Sequence, residues 1–204
     1  MTNNGAVETF EVERKYAVSA FAEFPAPAEF VHAGLKQGPI QNHELNASYF
    51  DTPHGDLWAK RSALRQRTGG KDEGWHLKFK GEHGSRELLW PHAQEMPEGV
   101  RAEIACLVGA SQVPLLTVIA TLRTQRRTIV LFDQIGSPVI ELADDMVDAT
   151  NQLTGKRQQW REWEAELLPG VDTVLLDLLE PLLLAQGAER VRGTSKIQRT
   201  MQAE

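Results

Sequence analysis

Phe10-Glu11-Val12-Glu13-Arg14-Lys15-Tyr16 decides how the rest of the chain is read. As a β-strand its side chains alternate, with Glu11, Glu13 and Lys15 on one face and Phe10, Val12, Arg14 and Tyr16 on the other. Carboxylates at i and i+2 lie about 7 Å apart at roughly 3.3 Å of rise per residue. At an effective dielectric of about 20 their repulsion is on the order of 2 kcal/mol. An open, wetted face screens that repulsion, and the bland reading of Glu-x-Glu-x-Lys is such a face. In a closed cleft a cation must offset it, and a hard divalent metal is the usual candidate.

Working outward, charges of one sign recur at the same spacing. Acidic strands hold Glu11/Glu13 and Glu162/Glu164/Glu166; basic ones hold Arg65/Arg67 and Lys78/Lys80, and the Arg126-Arg127 pair adds to them. The opposite faces are mostly apolar: Val12, Leu64, Trp75, Leu77, Phe79, Trp163 and Ala165. Solvent faces normally intersperse the two signs, so single-sign strands are the departure. A sheet closed with these faces inward makes a polar tunnel, its apolar outer faces covered by amphipathic helices. Such a lumen is stabilised when a polyanion sits on the Arg/Lys side and metal ions bridge it to the carboxylate side.

The remaining segments fit that frame. Strands are expected at residues 9–19, 46–51, 63–68, 75–80, 85–90, 126–133, 139–148 and 160–167. Gly69-Gly70-Lys71-Asp72-Glu73-Gly74 reads as a hairpin loop. Helical stretches are expected at 28–37, 54–60, 97–108, 112–120, 171–186 and 195–201, with Pro181 kinking the longest or beginning a new segment. About eight strands joined by hairpin-like turns predict an α+β fold around an antiparallel sheet or barrel.

Composition sets the outer bounds. With 204 residues and 41% hydrophobic content, the chain reads as one domain, 1–204, with a loosely ordered start at 1–8 and a helical segment at 171–204 completing the barrel. A net charge of −6 argues against a general nucleic-acid binder. A lone Cys106 excludes a disulfide framework and a multi-Cys zinc site, fits a reducing cytoplasm and reads as a buried thiol. There is no leader and no 18-residue apolar run, since the Leu-rich stretch 174–184 is broken by Asp177, Glu180 and Pro181. The expectation is a soluble cytoplasmic protein, monomer or homodimer. Phosphate-cradling glycine motifs and a Gly-x-Ser-x-Gly elbow are absent, and the six His show no metal-ligand spacing and read as surface or capping residues. Tyr49 and Trp58 could stack on a base or ring but, as members of apolar faces, read as core.

The chain resembles the CYTH, or triphosphate tunnel metalloenzyme, superfamily. Glu11-Val12-Glu13-Arg14-Lys15 is similar to its N-terminal Glu-x-Glu-x-Lys signature. The likeness continues through Tyr49-Phe50-Asp51-Thr52-Pro53, Leu64-Arg65-Gln66-Arg67, Trp75-His76-Leu77-Lys78, Arg126-Arg127 and Glu162-Trp163-Glu164-Ala165-Glu166, and closes with Ser195-Lys196. The resemblance implies an eight-stranded antiparallel closed barrel acting on triphosphates with Mg²⁺ or Mn²⁺. It implies Glu11, Glu13, Glu164 and Glu166 as metal ligands, and Lys15, Arg65, Arg67, Lys78, Arg127 and Lys196 as phosphate-binding cations. Glu87 and Glu141 fall where the family often has a further acidic lumen residue. Three registers stay open: Glu162/Glu164 against Glu164/Glu166 as the metal pair, Arg126 against Arg127 inward, and Glu141, Asp144 or Asp145 as the lumen acid.

What the resemblance implies is metal-assisted hydrolysis of a small triphosphate, with the four metal-ligand glutamates and Lys15 as the catalytic set. Members include inorganic, thiamine and RNA triphosphatases and one class of adenylate cyclases. Thiamine-specific members have an aromatic residue where this chain has Ala63, which places inorganic or general triphosphatase first, thiamine triphosphatase second and cyclase third. A non-catalytic polyphosphate- or nucleotide-binding module is the reading outside the enzymes. Many bacterial members carry a helical CHAD domain after the barrel, and this sequence reads as a barrel without one.

Overall fold

The computed structural model describes residues 5–202. The opening stretch is extended throughout but divides at Val12 into β1 (Val7–Glu11) and β2 (Glu13–Ala17). The other strands are β3 (Lys36–Gln37), β4 (Gln41–Asp51), β5 (Ser62–Thr68), β6 (Gly74–Lys80), β7 (Ser85–Pro91), β8 (Thr117–Phe132), β9 (Pro138–Asn151), β10 (Arg157–Leu167) and β11 (Glu189–Val191). Helices are α1 (Pro27–His32), α2 (Asp56–Ala59), α3 (Glu98–Val108), α4 (Val174–Ala185) and α5 (Lys196–Met201).

All pairings in the sheet are antiparallel, along the path β1-β7-β6-β5-β4-β8-β9-β10-β2-β11, with β3 paired to β8. The α+β antiparallel architecture is as expected, but the described residues form eleven strands and their hydrogen-bonded path does not close. The expected first strand is the reason. Its upstream half pairs with β7 and its downstream half with β10, so one extended segment serves both flanks of the path. Only Val12 lies between, and its carbonyl accepts from the Leu167 N–H at 2.9 Å.

The apolar faces are buried as the alternation predicts. Leu64, Trp75, Leu77, Leu88 and Trp90 pack with Leu57 of α2 and Val100 and Ile104 of α3. Tyr16, Ile129, Leu142, Trp163 and Ala165 pack with Phe30 of α1 and Leu176, Leu179 and Leu183 of α4. A third cluster was not expected. Tyr49, Leu122, Val147, Ala149 and Trp160 join Ile197 of α5, with Ala47, Ala63 and Met201 against them. Several of these stand in the same alternating columns as the inward charges, so apolar side chains fill part of the sheet's inner face.

Several boundaries differ from the expectation. Residues 112–120 are not a helix: after α3 comes a short 3-10 turn, Ala110–Leu115, holding Pro114, and β8 already starts at Thr117. Pro114 cannot donate to a helix ladder, and the Thr-Val-Ile run prefers a pleated surface. The helix expected over 28–37 stops at His32, because Gly34 takes φ 75° and the chain turns into β3. Pro181 lies inside α4, which continues past it. The segment 171–204 is not wholly helical, since β11 adds a strand beside β2. Of the start expected to be loose, residues 1–4 lie outside the described residues, while Val7 and Glu8 belong to β1. Cys106 is exposed rather than buried, being two positions beyond the inward Ile104 on α3. Among the described residues no helix is long and apolar enough to cross a membrane.

Candidate metal- and anion-binding site

The inner face of the sheet lines a cavity of about 950 Å³. Strand register explains its charges. Glu166 of β10 stands opposite Glu13 of β2 on one side and Glu141 of β9 on the other, giving three carboxylates in one rung. Like charges facing each other across strands are destabilising unless something cationic intervenes. The next inward position pairs Glu164 with Lys15. One step further, Glu162 faces Asp145, and Asp145 faces Arg126.

Lys15 bonds Glu13 at 2.8 Å and also meets Glu164. Lys78 meets Glu11, with Glu13 at 3.4 Å. Lys196 arrives from the first turn of α5, where Ser195 caps the helix by accepting from the Gln198 N–H and donating its own N–H to that side chain. Its ammonium lies 2.8 Å from Asp145 and 2.7 Å from both Glu162 and Glu164. Arg126 makes a bidentate pair with Asp145 and reaches Glu164 at 2.6 Å.

The carboxylates therefore divide into two groups. Asp145, Glu162 and Glu164 have oxygens within 4.8 Å of one another and could hold a cation. Lys196 already fills that place. Burial would raise Glu164, but Lys15, Lys196 and Arg126 outweigh it and hold the carboxyl well below its usual range. Asp145 is held low by Lys196 and Arg126 in the same way against its burial. The other group carries the unmet charge. Burial, then the neighbouring Glu13, lifts Glu166 to about 7. Glu11 is lifted to about 8 by burial and by the hydrogen bond it shares with Glu87. Glu13 stays low because Lys15 and Lys78 outweigh its burial. Carboxylates raised by one another's company are hard oxygen donors of the kind that suit a divalent cation. Glu11, Glu13, Glu141 and Glu166, with Glu164 beside them, could supply such donors.

On the basic side, Arg65 and Arg67 project inward from β5. Arg65 lies 3.4 Å from Glu87. Arg67 pairs with Asp72 on the β5–β6 hairpin. Burial and the neighbouring Arg65 and Arg126 pull Arg67 down to about 9. The Nε atoms of both arginines are buried with no hydrogen-bond partner. Crowded guanidinium groups with unspent N–H donors suit a polyanion.

Eleven of the twelve residues singled out in the sequence line this cavity: Glu11, Glu13, Lys15, Arg65, Arg67, Lys78, Glu87, Glu141, Glu164, Glu166 and Lys196. Arg127 does not. It points to the other face, toward Asp144 at 2.9 Å and over the ring of Phe24, and Arg126 takes the inward place. Glu141 and Asp145 share the inward face of β9, while Asp144 is outward with Arg127, Arg161 and Trp163. His76 is neither surface nor cap: it is 1% exposed between Arg65 and Glu87. Trp58, read as core, is 40% exposed at the cavity's edge. Lys71 and Asp72 were seen only as turn residues, yet both engage the site.

The chain belongs to the CYTH domain family, whose pattern matches residues 9–201. Two uncharacterised proteins of Mycobacterium tuberculosis, from strains CDC 1551 / Oshkosh and ATCC 25618 / H37Rv, are each 35% identical to it over 211 residues. The match covers 95% of this chain but 40% of each of those proteins, so the chain spans two-fifths of the length of these relatives. Among solved structures it is similar to a proposed adenylate cyclase of Bacillus halodurans, with TM-score 0.59 and 21% identity, covering 94% of this chain and 97% of that one. It is also similar to a proposed adenylyl cyclase of Hippeastrum with a dominant triphosphatase activity, with TM-score 0.60 and 20% identity over 96% and 95% of the chains. At these identities the likeness shows a shared fold.

Proposed function

We propose that this protein hydrolyses a small triphosphate, inorganic triphosphate first, with Mg²⁺ or Mn²⁺, inside a barrel-like charged tunnel. The observation that carries the proposal is the density of buried charge of both signs in one cavity. The carboxylates Glu11, Glu13, Glu141 and Glu166 line it together with the cations Lys15, Lys78, Arg65, Arg67 and Arg126 and with Lys196. The dominant triphosphatase activity of the Hippeastrum protein lends the same reading support.

In this reading Arg65, Arg67 and Arg126 grip phosphate oxygens, and Lys15, Lys78 and Lys196 exchange their carboxylate partners for phosphate as substrate enters. These cations then neutralise the charge that develops on the transferring phosphoryl group. The divalent ion, when bound, offsets phosphate charge and lowers the pKa of water. Glu166, lifted to about 7 by burial and by Glu13 while no cation is bound, would give up its proton as the ion binds and serve as a ligand. Glu87, held low by Arg65 and His76 against its burial, stays ionised and orients Arg65.

One observation favours a second reading. The half-exposed ring of Trp58 at the edge of so large a cavity offers a surface for the organic part of thiamine triphosphate or a nucleotide. The deciding experiment supplies tripolyphosphate, thiamine triphosphate and ATP with Mg²⁺ or Mn²⁺ and measures released phosphate and cAMP. The expected result is tripolyphosphate cleaved fastest, to pyrophosphate and phosphate, with no cAMP from ATP. Stoichiometric cAMP and pyrophosphate from ATP would overturn the hydrolase in favour of a cyclase. Stabilisation by tripolyphosphate without turnover would make the protein a binding module.

A further inference from the structure

The β5–β6 hairpin tip supplies an anion of its own to the basic side of the cavity. Asp72 places its carboxylate on Arg67, whose side chain is 6% exposed while that of Asp72 is 40% exposed. The Asp72 backbone is fixed as well. Its carbonyl accepts from Arg67 Nη2 at 3.3 Å and lies 2.9 Å from His76 Nε2. Because a carbonyl can only accept, Nε2 carries the proton; Nδ1 lies 3.2 Å from Glu87 Oε1 and 3.4 Å from Arg65 Nη2. Lys71 beside it crosses the cavity to Glu141 of β9. The tip thus engages both the arginines and the carboxylate rung.

We propose that Asp72 is a resident counter-anion of the arginine pocket, which a phosphate group of the substrate displaces, and that it thereby sets the affinity of the site for polyanions. Arg67 is crowded by Arg65 and Arg126, so the pocket without substrate needs a negative charge. Asp72 meets that need with a side chain that is 40% exposed and can turn into solvent while its backbone stays held. A triphosphate, engaging several cations at once, outcompetes it. The inference rests on the triphosphate reading of the cavity, and the experiment separates the two.

Wild type, Asp72→Asn, Asp72→Glu, Arg67→Ala and the double variant Arg67→Ala/Asp72→Asn are titrated calorimetrically with tripolyphosphate, pyrophosphate and phosphate in EDTA, and KM and kcat for tripolyphosphate are measured in Mg²⁺. Asp72→Asn is expected to bind tripolyphosphate about five- to tenfold tighter, the scale of removing one partly exposed ion-pair competitor. Pyrophosphate and phosphate, where they bind at Arg67, should gain by a similar factor, because the same competitor is removed. Asp72→Glu should return toward wild type, Arg67→Ala should lose the effect of residue 72, and the change should fall on KM rather than kcat. A merely structural tip predicts no such split. Wild type that binds, with Asp72→Asn binding equally or more weakly, overturns the role of Asp72 and leaves the triphosphate reading standing. Wild type that binds none of the three anions under either condition overturns both.

Discussion

Replacing Glu166 by Gln should stabilise the metal-free protein, and only on the alkaline side. Glu166 is lifted from the ordinary 4.5 to about 7 by burial and by Glu13, Glu164 and Glu141 around it. Between those values the unfolded chain has released the proton that the folded chain still holds, so folding stability falls as pH rises through the window. Above about pH 7 the loss is complete, and at about 1.36 kcal/mol per pH unit it amounts to about 3 kcal/mol. Gln has the shape of the protonated acid and never ionises, so the variant escapes that loss. At about 2–4 °C per kcal/mol for a chain of this size, the variant should melt of order 5–10 °C higher than wild type at pH 8 in EDTA. The difference should shrink toward zero by pH 4. Saturating Mg²⁺ should reverse the order, because the ion stabilises the carboxylate set and Gln weakens it. The assay is thermal denaturation of both proteins from pH 4 to 9, with EDTA and with Mg²⁺. A difference that does not vary with pH, or a variant less stable than wild type at pH 8 in EDTA, refutes the electrostatic account of the rung.

Three further outcomes follow from the geometry. Arg126→Ala should lose activity by at least about 100-fold, whereas Arg127→Ala should retain most of it, and the two rates measured side by side decide the inward register of β8. Tripolyphosphate should raise the melting temperature of wild type and most of that rise should vanish in Arg65→Ala; an equal rise in both would place Arg65 outside the binding site. Glu13→Gln should abolish Mg²⁺-dependent phosphate release while circular dichroism stays native, and normal turnover by this variant would remove Glu13 from the metal set.

Much of the site is legible because a strand has a period of two. Once Trp75, Leu77 and Phe79 are seen as core, Lys78 must face the other way, and the same parity fixes Glu164 and Glu166 against Trp163 and Ala165. The Arg126/Arg127 choice was decidable by that rule, since Arg127 shares parity with Ile129 and Leu131, both buried in the outer core. It stayed open because the strand was read as starting at Arg126, when β8 already runs from Thr117 with its column set by Leu122 and Thr124. Asp145 is likewise fixed by Glu141 and Ala143, one step from the outward Asp144. What parity cannot reach is contact made by a turn. Nothing local in Lys71-Asp72 says that one reaches Glu141 and the other Arg67, because those meetings depend on how the hairpin folds over the cavity. The apolar cluster around Tyr49 and Trp160 is hidden for the opposite reason: apolar side chains in columns of inward charge have no visible partner until α5 brings Ile197 and Met201 against them.

The division of the opening strand at Val12 governs the order in which the molecule can be completed. Residues 7–11 need partners at 85–91, but residues 13–17 need partners at 157–167, which leave the ribosome last among the long strands. A nascent chain can join its middle hairpins early, since they pair neighbours in sequence, while the amino-terminal segment waits with one flank unfilled. Pairing of β2 with β10, and with the still more distant β11, carries the largest loop-closure costs among the described strands and is expected to come late in folding. Glu13 and Lys15 are therefore expected to stay in water until late, and the mutual repulsion of Glu13, Glu141 and Glu166 is met only when their rung assembles. That rung cannot form before synthesis has passed the last long strand.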